Sequence, residues 1–250
     1  MQDFLYFLFE KKIYITYIME LLAALAGSFY LFYSKPKNKN NRMFVIFLWS
    51  VLIIDILGGY SGLAYFNDYE YFAFIEGTPF ERNTWYYNVA EVYFICFYTN
   101  LFRKQLSGIK KRFLLKWLII SYLIFAILNM VLSGEFFNGD LIINDIVGAF
   151  MIVTSVFLYF FDMMISDKVL NFYKDLFFFV AVGVSISYLS IIPINIYDSF
   201  ISYQNEELLE LFYTVMRYSN IFMYSMFVLG FYLDYRYKQK EMMFLETTNS

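Results

Sequence analysis

Seven long apolar segments alternate with short polar loops along the chain. Each segment is long enough for an α-helix, at about 1.5 Å per residue, to cross the roughly 30 Å hydrocarbon core of a membrane. The apolar positions follow a helical or uniformly apolar pattern, not the alternation typical of barrel strands. This pattern predicts an all-α membrane protein folded as a seven-transmembrane helix bundle. The segments are approximately 13–33, 43–65, 84–102, 113–133, 142–162, 175–196 and 211–233.

The composition excludes a soluble globular domain. Of the 250 residues, 60% are hydrophobic and 16% are charged, against roughly 45–50% and about 25% in soluble domains. There is no histidine and one cysteine, Cys96, which argues against histidine acid–base chemistry, an internal disulfide and the usual zinc and haem ligands. We therefore expect no metal and no cofactor. The net charge of −3 gives no reason to expect nucleic acid as a partner.

Basic residues concentrate at one end of the predicted bundle. All but four of the 19 lysines and arginines lie in 34–42, 103–116, 163–174 and 236–250. By the positive-inside rule these segments are cytoplasmic. The N-terminus is then outside, the C-terminus is cytoplasmic, and the lipid bilayer is the expected surrounding.

The chain divides into three predicted parts. Residues 1–12 form a short interfacial segment, 13–236 a single seven-helix transmembrane domain, and 237–250 a polar cytoplasmic tail. Thr78-Pro79-Phe80-Glu81 has the pattern of a capping box, with threonine at the N-cap and glutamate at the third helical position. It predicts that the third transmembrane helix opens here.

Charged side chains inside the predicted helices are the candidate functional residues. A charge in the hydrocarbon core costs about 2.5–3.5 kcal/mol on insertion scales, so its placement carries information. At 1.5 Å per residue these charges lie about 9–15 Å from the outer helix ends, in one layer. Two asparagines lie within about one turn of that layer. The candidate ligand- or ion-binding residues are Glu20, Asp55, Glu91, Arg217, Asn88 and Asn220.

Two interpretations of this layer remain open. In the first, Arg217 pairs with one acid and the polar groups hold helices together. In the second, the layer lines an outward-facing pocket with a formal charge of −2, which favours a proton, sodium or an organic cation. Asp145, at a helix start, complements the helix dipole and has no assigned role. Tyrosines near the outer face, Tyr87 among them, are interpreted as interfacial belt residues and not as a ligand cage.

Three motifs carry a family resemblance. They are 20–27 (ELLAALAG), the basic asparagine-rich turn before Arg42, and 77–83 (GTPFERN). On these the chain resembles small seven-helix integral membrane proteins of flavobacteria and their relatives. The resemblance implies a bacterial inner-membrane location, and it does not indicate any particular activity. A retinal-binding rhodopsin is disfavoured because 211–233 contains no lysine. The prolines of sugar-transporting SWEET and PQ-loop proteins are missing from all but one helix.

These observations leave three functional hypotheses. The first is a membrane sensor or binding module, whose outer pocket takes a small ligand and which acts through a separate cytoplasmic or membrane protein. The second is a small transporter or channel for a cation, proton or small solute, in which Asp55 and Glu91 bind the coupling ion. The third is a structural membrane component. An enzyme is disfavoured because the signatures of aspartyl intramembrane proteases are absent.

Overall fold

A computed structural model describes residues 2–34, 38–198 and 206–248, and within these ranges the chain forms helices joined by turns, with no strand. Each predicted apolar segment lies within helical structure, and the second is interrupted at Gly59. The elements are α1 (Gln2–Glu10), α2 (Tyr14–Ser34), α3 (Lys39–Gly58), α4 (Tyr60–Tyr65), α5 (Thr84–Gln105), α6 (Ile109–Leu132), α7 (Ile142–Met164), a 3-10 helix (Asp167–Lys174), α8 (Leu176–Asp198) and α9 (Glu206–Thr248).

Among the described residues, five helical segments are long and apolar enough to cross a membrane. The other two long helices, α5 and α9, carry more polar residues and are less hydrophobic on average. They therefore fall outside this group of five. The chain is therefore an all-helical protein with five helices suited to a lipid bilayer. These five segments are Tyr14–Ser34, Lys39–Tyr65, Ile109–Leu132, Ile142–Met164 and Leu176–Pro193.

Six of the long helices pack as a closed ring, in the order α2, α3, α5, α7, α8, α9 and back to α2. The remaining long helix, α6, lies outside this ring and packs against α5 and α7. Only Leu115, Tyr122 and Ala126 of α6 are buried, and most of its other apolar side chains are exposed. An apolar surface of this extent suits hydrocarbon and not water.

The two ends of the ring differ in charge. We call the end at which α2, α5, α7 and α9 begin the acidic end, and the opposite end, where α3, α6 and α8 begin, the basic end. The basic residues of 103–116, and Arg236, Lys238 and Lys240 of α9, lie at the basic end. The two names describe the molecule and do not depend on which side of a membrane each end faces.

The half of the ring toward the basic end is filled with aromatic and aliphatic side chains. Phe44, Phe102, Phe227 and Phe231 are each at most 1% exposed. The Phe44 ring lies 5.2 Å from that of Phe227 and 5.8 Å from that of Phe231. Gly27 admits this packing, because a Cβ there would lie 3.0 Å from the Phe231 ring. We call these four phenylalanines the phenylalanine plug.

Two acidic side chains at the basic end are paired with lysines. Asp162 of α7 accepts hydrogen bonds from the Ser107 N–H (2.6 Å) and hydroxyl (2.7 Å), and it pairs with Lys111. Lys238 of α9 bonds Asp234 at 2.6 Å and the Tyr30 hydroxyl at 2.8 Å. These contacts fasten α7 to the α5–α6 loop, and α9 to α2.

The turn before α5 differs from the prediction. The capping box at Thr78 does not open a helix, since α5 begins at Thr84 and 78–83 form turns and bends. Glu81 instead accepts hydrogen bonds from the Gly77 N–H (3.1 Å) and the Tyr69 hydroxyl (2.8 Å). The glutamate therefore closes a loop, because its carboxylate is used by that loop and not by a helix N-terminus.

The two terminal parts are both helical where they are described. The predicted interfacial segment contains α1, whose Phe4 and Phe7 rings pack against Phe66. The predicted polar tail, 237–250, is not separated from the membrane domain by a helix end, because α9 continues through Thr248. At 43 residues α9 is about 65 Å long, roughly twice the hydrocarbon thickness.

Candidate functional site

A cavity of about 320 Å³ lies inside the ring, above the phenylalanine plug and toward the acidic end. All six ring helices line it, and the peripheral α6 contributes none of its described lining residues. It reaches the acidic end of the ring, because the exposed Asp140 of the α6–α7 loop is one of its lining residues. The volume is that of a small-molecule site.

Five carboxyl groups line this cavity, on α2 (Glu20), α3 (Asp55), α5 (Glu91), α7 (Asp145) and the α6–α7 loop (Asp140). Glu20 and Asp55 are close enough to interact electrostatically, as are Asp55 and Glu91, Glu91 and Asp145, and Asp145 and Asp140. The groups therefore form a chain from the surface inward, which we call the carboxyl chain.

Glu20 is the buried end of the carboxyl chain. It is 2% exposed, and its Oε1 accepts a 3.3 Å hydrogen bond from the Tyr224 hydroxyl of α9. Its Oε2 is buried and accepts no hydrogen bond from a described N–H or O–H donor, while the Asp55 carboxyl lies within hydrogen-bonding reach of Glu20. Carboxyl oxygens are acceptors, so a donor that enters the cavity can bond both side chains.

No lysine or arginine appears among the described lining residues, and 194–209, where side chains are not described, contain none. Within the described residues there is also no group of three or more acidic, cysteine or histidine side chains placed to hold a metal ion. The carboxyl groups are spread along the cavity wall instead of converging on one point. The cavity is therefore suited to a ligand whose positive charge is distributed along its length.

Four tyrosines join the acids in the cavity wall, and for one of them, Tyr87, this differs from the interfacial-belt interpretation. Tyr87, Tyr98, Tyr188 and Tyr224 all line the cavity. The Tyr188 hydroxyl lies within hydrogen-bonding reach of Glu91, and the Tyr98 and Tyr188 rings meet edge to face at 6.3 Å. Electron-rich ring faces beside carboxylates are a setting in which organic ammonium groups bind.

Gly58 of α3 explains how Tyr87 enters the cavity wall. A Cβ at this position would lie 2.4 Å from the Tyr87 hydroxyl oxygen, so only glycine leaves room for the ring. The sequence shows tyrosines at the start of α5, but no local pattern indicates which of their rings point inward.

Asn88 lines the cavity and also holds the α6–α7 loop. Its amide nitrogen donates to the carbonyls of Phe136 (3.0 Å) and Gly139 (3.1 Å), and its amide oxygen accepts from the Leu141 N–H at 3.1 Å. These bonds bring the loop, with Asp140, onto α5 next to Glu91. Asn88 is therefore a positioning residue, while Asn220 lies in the wall formed by α9.

Arg217 is the one candidate residue that the structure does not place in the cavity wall. Its guanidinium donates a 3.1 Å hydrogen bond to the backbone carbonyl of Lys11, in the turn between α1 and α2. At this level α9 faces the turn, which offers a carbonyl outside the helical hydrogen-bond pattern. Among the described residues Arg217 forms no ion pair with a buried acid. Its positive charge therefore does not offset the negative charge of the acids in the cavity wall.

Asp140 and Asp145 were not among the candidates from the sequence. Asp145 follows Asn144 in the first turn of α7, where an acid needs no explanation beyond the helix dipole. The available signal was the polar pair at the start of an otherwise apolar helix. Only the packing of α7 against α5 places Asp145 beside Glu91.

Comparisons of the chain with protein-family models, with curated proteins and with solved structures found no match.

Proposed function

We propose that this protein is an integral membrane receptor that binds a small positively charged ligand in the cavity and acts through a separate protein. The observation that carries the proposal is the cavity itself, which has five carboxyl groups in its wall, no described basic side chain, and one buried carboxyl oxygen that no described N–H or O–H donor reaches. A ligand with N–H donors and positive charge supplies what the site lacks.

The proposal includes seven membrane crossings, with α5 and α9 crossing as well. Each of them packs between two ring neighbours that are themselves suited to cross, so their polar residues face the cavity or other helices. The basic end is taken as cytoplasmic and the cavity as opening outward. In a bacterium this arrangement belongs to the inner membrane.

The phenylalanine plug favours a receptor over a transporter. A channel needs an open path from the site to the opposite face, and a transporter needs helices that separate there when it alternates between its two states. Beyond the cavity the ring interior holds Phe44, Phe102, Phe227 and Phe231, all essentially without exposed surface. The carboxyl chain is the feature that favours the alternative, because chained acids also serve as relays for protons and cations.

A route from the cavity to a partner is provided by α9. Met216, Asn220, Met223 and Tyr224 of this helix line the cavity, and the same helix extends past the basic end to Thr248. A ligand that alters the Glu20–Tyr224 contact acts directly on α9. A partner at the cytoplasmic side would then detect a change in the position of this extension.

Thermal unfolding of the detergent-purified protein tests the binding step. The melting temperature is measured with sodium, potassium, tetramethylammonium and a set of organic amines. We compare wild type with Asp55→Asn and Glu91→Gln, and use Glu10→Gln, at the exposed end of α1, as the matched control. We expect saturable stabilisation by a cation in wild type and the control, and its loss in both cavity variants.

Two outcomes would overturn the proposal. If no cation stabilises wild type, the carboxyl chain is structural and the protein is a membrane component without a ligand site. If a stabilising cation is also accumulated by proteoliposomes containing the protein, the transporter is the correct function. A receptor predicts binding without flux.

A further inference from the structure

The length of the carboxyl chain restricts the ligand more than its charge does. On α5 alone the cavity runs from Tyr87 to Tyr98, about 16 Å at 1.5 Å per residue. A compact cation would meet one or two acids of such a cavity and leave the others facing one another. The acids repel each other when ionised. A ligand with a single positive charge neutralises only part of this repulsion.

Resting on the proposed function, we infer that the ligand is a linear aliphatic amine with two or more ammonium groups, the chemical class of the diamines and polyamines. One ammonium group binds at Glu20 and Asp55, at the buried end of the carboxyl chain. A second binds nearer the mouth, at Asp145 and Asp140. Glu91 lies between the two positions.

The inner position is supported by the adjacent carboxyl groups of Glu20 and Asp55, because no described N–H or O–H donor reaches Glu20 Oε2. An ammonium group carries three N–H donors and no acceptor, and it can donate to Glu20 Oε2 while Oε1 keeps its bond from Tyr224. Asp55, within electrostatic reach of Glu20, is an acceptor for a second N–H. The position therefore offers a cation two acidic side chains at the closed end of the cavity.

The wall between the two positions suits a methylene chain. Apolar and aromatic side chains of α5, α7 and α8 lie along it, including Phe94, Ile146, Tyr188 and Ile191. Such a surface binds an alkyl spacer by the hydrophobic effect and the ammonium groups at its ends by ring faces. A hydrated metal ion gains nothing from this wall.

The test compares amines that differ in the number of charges, including one pair of equal chain length. Affinities of the purified full-length protein for 1,4-diaminobutane, spermidine and the matched monoamine n-butylamine are measured by titration calorimetry. We expect 1,4-diaminobutane or spermidine to bind at least about tenfold more tightly than n-butylamine, which corresponds to 1.4 kcal/mol. Equal affinities for amines with one and several charges would overturn the inference.

Single substitutions at the two positions sharpen the test. Asp145→Asn removes an acid of the outer position, and Glu20→Gln removes the inner charge while its amide oxygen still accepts from Tyr224. Each is expected to reduce the preference for the diamine over the monoamine by at least about tenfold, while Glu10→Gln leaves it unchanged. A preference that survives both cavity substitutions would contradict a ligand held at two positions.

The two proposals fail in different ways. If n-butylamine or tetramethylammonium binds as well as any diamine, and Asp55→Asn abolishes that binding, the polyamine inference is wrong and the cation receptor stands. If neither amines nor inorganic cations bind wild type, both proposals are wrong. The comparison of amines in wild type requires no variant, so a poorly folding variant cannot obscure it.

Discussion

The two halves of the ring treat their acidic residues in opposite ways. In the half toward the basic end, Asp162 pairs with Lys111 and Asp234 with Lys238, and the phenylalanine plug fills the interior beside them. In the half toward the acidic end, the carboxyl chain faces a cavity without a described basic side chain. The same helices therefore build a closed half, in which two acids pair with lysines, and an open half, in which no described lysine or arginine lines the cavity. The open half is interpreted as a binding site because acids that are costly in a membrane line a cavity there.

The largest expected effect comes from removing a ring of the plug. Phe231→Ala leaves a cavity among Phe44, Tyr30 and Gly27, and we expect a loss of about 3–5 kcal/mol of stability. The measurement is the unfolding free energy in detergent. The matched control is Phe29→Ala on α2, whose ring is 61% exposed. Equal losses for the two variants would show that the plug is not close-packed.

The comparison predicts effects of different sign for the same substitution in the two halves. Asp162→Asn weakens the pairing with Lys111 and Ser107, and we expect a loss of about 1–3 kcal/mol. Asp55→Asn removes a negative charge beside Glu20 and Glu91, so in the absence of ligand we expect stability to be unchanged or increased. Both are measured as melting temperatures in the same buffer. A loss at Asp55 as large as that at Asp162 would mean that the contact between Asp55 and Glu20 stabilises the fold. The contrast between the halves would then disappear.

The smallest expected effect lies in the loop beside the acidic end. The hydrogen bond to Glu81 raises the pKa of the Tyr69 hydroxyl. Because the folded pKa is raised, this bond stabilises the protein below the ordinary tyrosine pKa and is lost as the pH rises through the folded value. The difference in melting temperature between wild type and Tyr69→Phe should be small at pH 8 and fall toward zero at pH 11. A difference that grows with pH would contradict the assignment.

The positions of the helices could be predicted from the sequence because each depends on a local property, a run of apolar residues of sufficient length. Five predicted site residues, Glu20, Asp55, Glu91, Asn88 and Asn220, do line one cavity. Their depth along each helix followed from residue counts, and costly polar groups in apolar helices tend to face the protein interior. The helix start expected at Thr78 was wrong because the capping pattern is also compatible with a closed loop.

Arg217 and Asp145 show where the prediction from sequence ended. The depth of Arg217 matched that of the acids, yet its side chain reaches the Lys11 carbonyl. Asp145 had an adequate local explanation, yet it extends the carboxyl chain. In both cases the deciding quantity is the rotation of one helix against its neighbours, and no local pattern specifies that rotation.

By itself the sequence determined the helical class, the apolar segments, the segregation of basic residues and the presence of acids within apolar helices. These follow from hydropathy and from the cost of placing charge in hydrocarbon, both of which are properties of single segments. Only the tertiary structure decided that six helices close a ring while α6 stays outside, that the acids meet in one cavity without Arg217, and that phenylalanines seal that cavity toward the basic end. These depend on side chains from helices far apart in the chain packing against one another, and that packing gives the five carboxyl groups a common cavity.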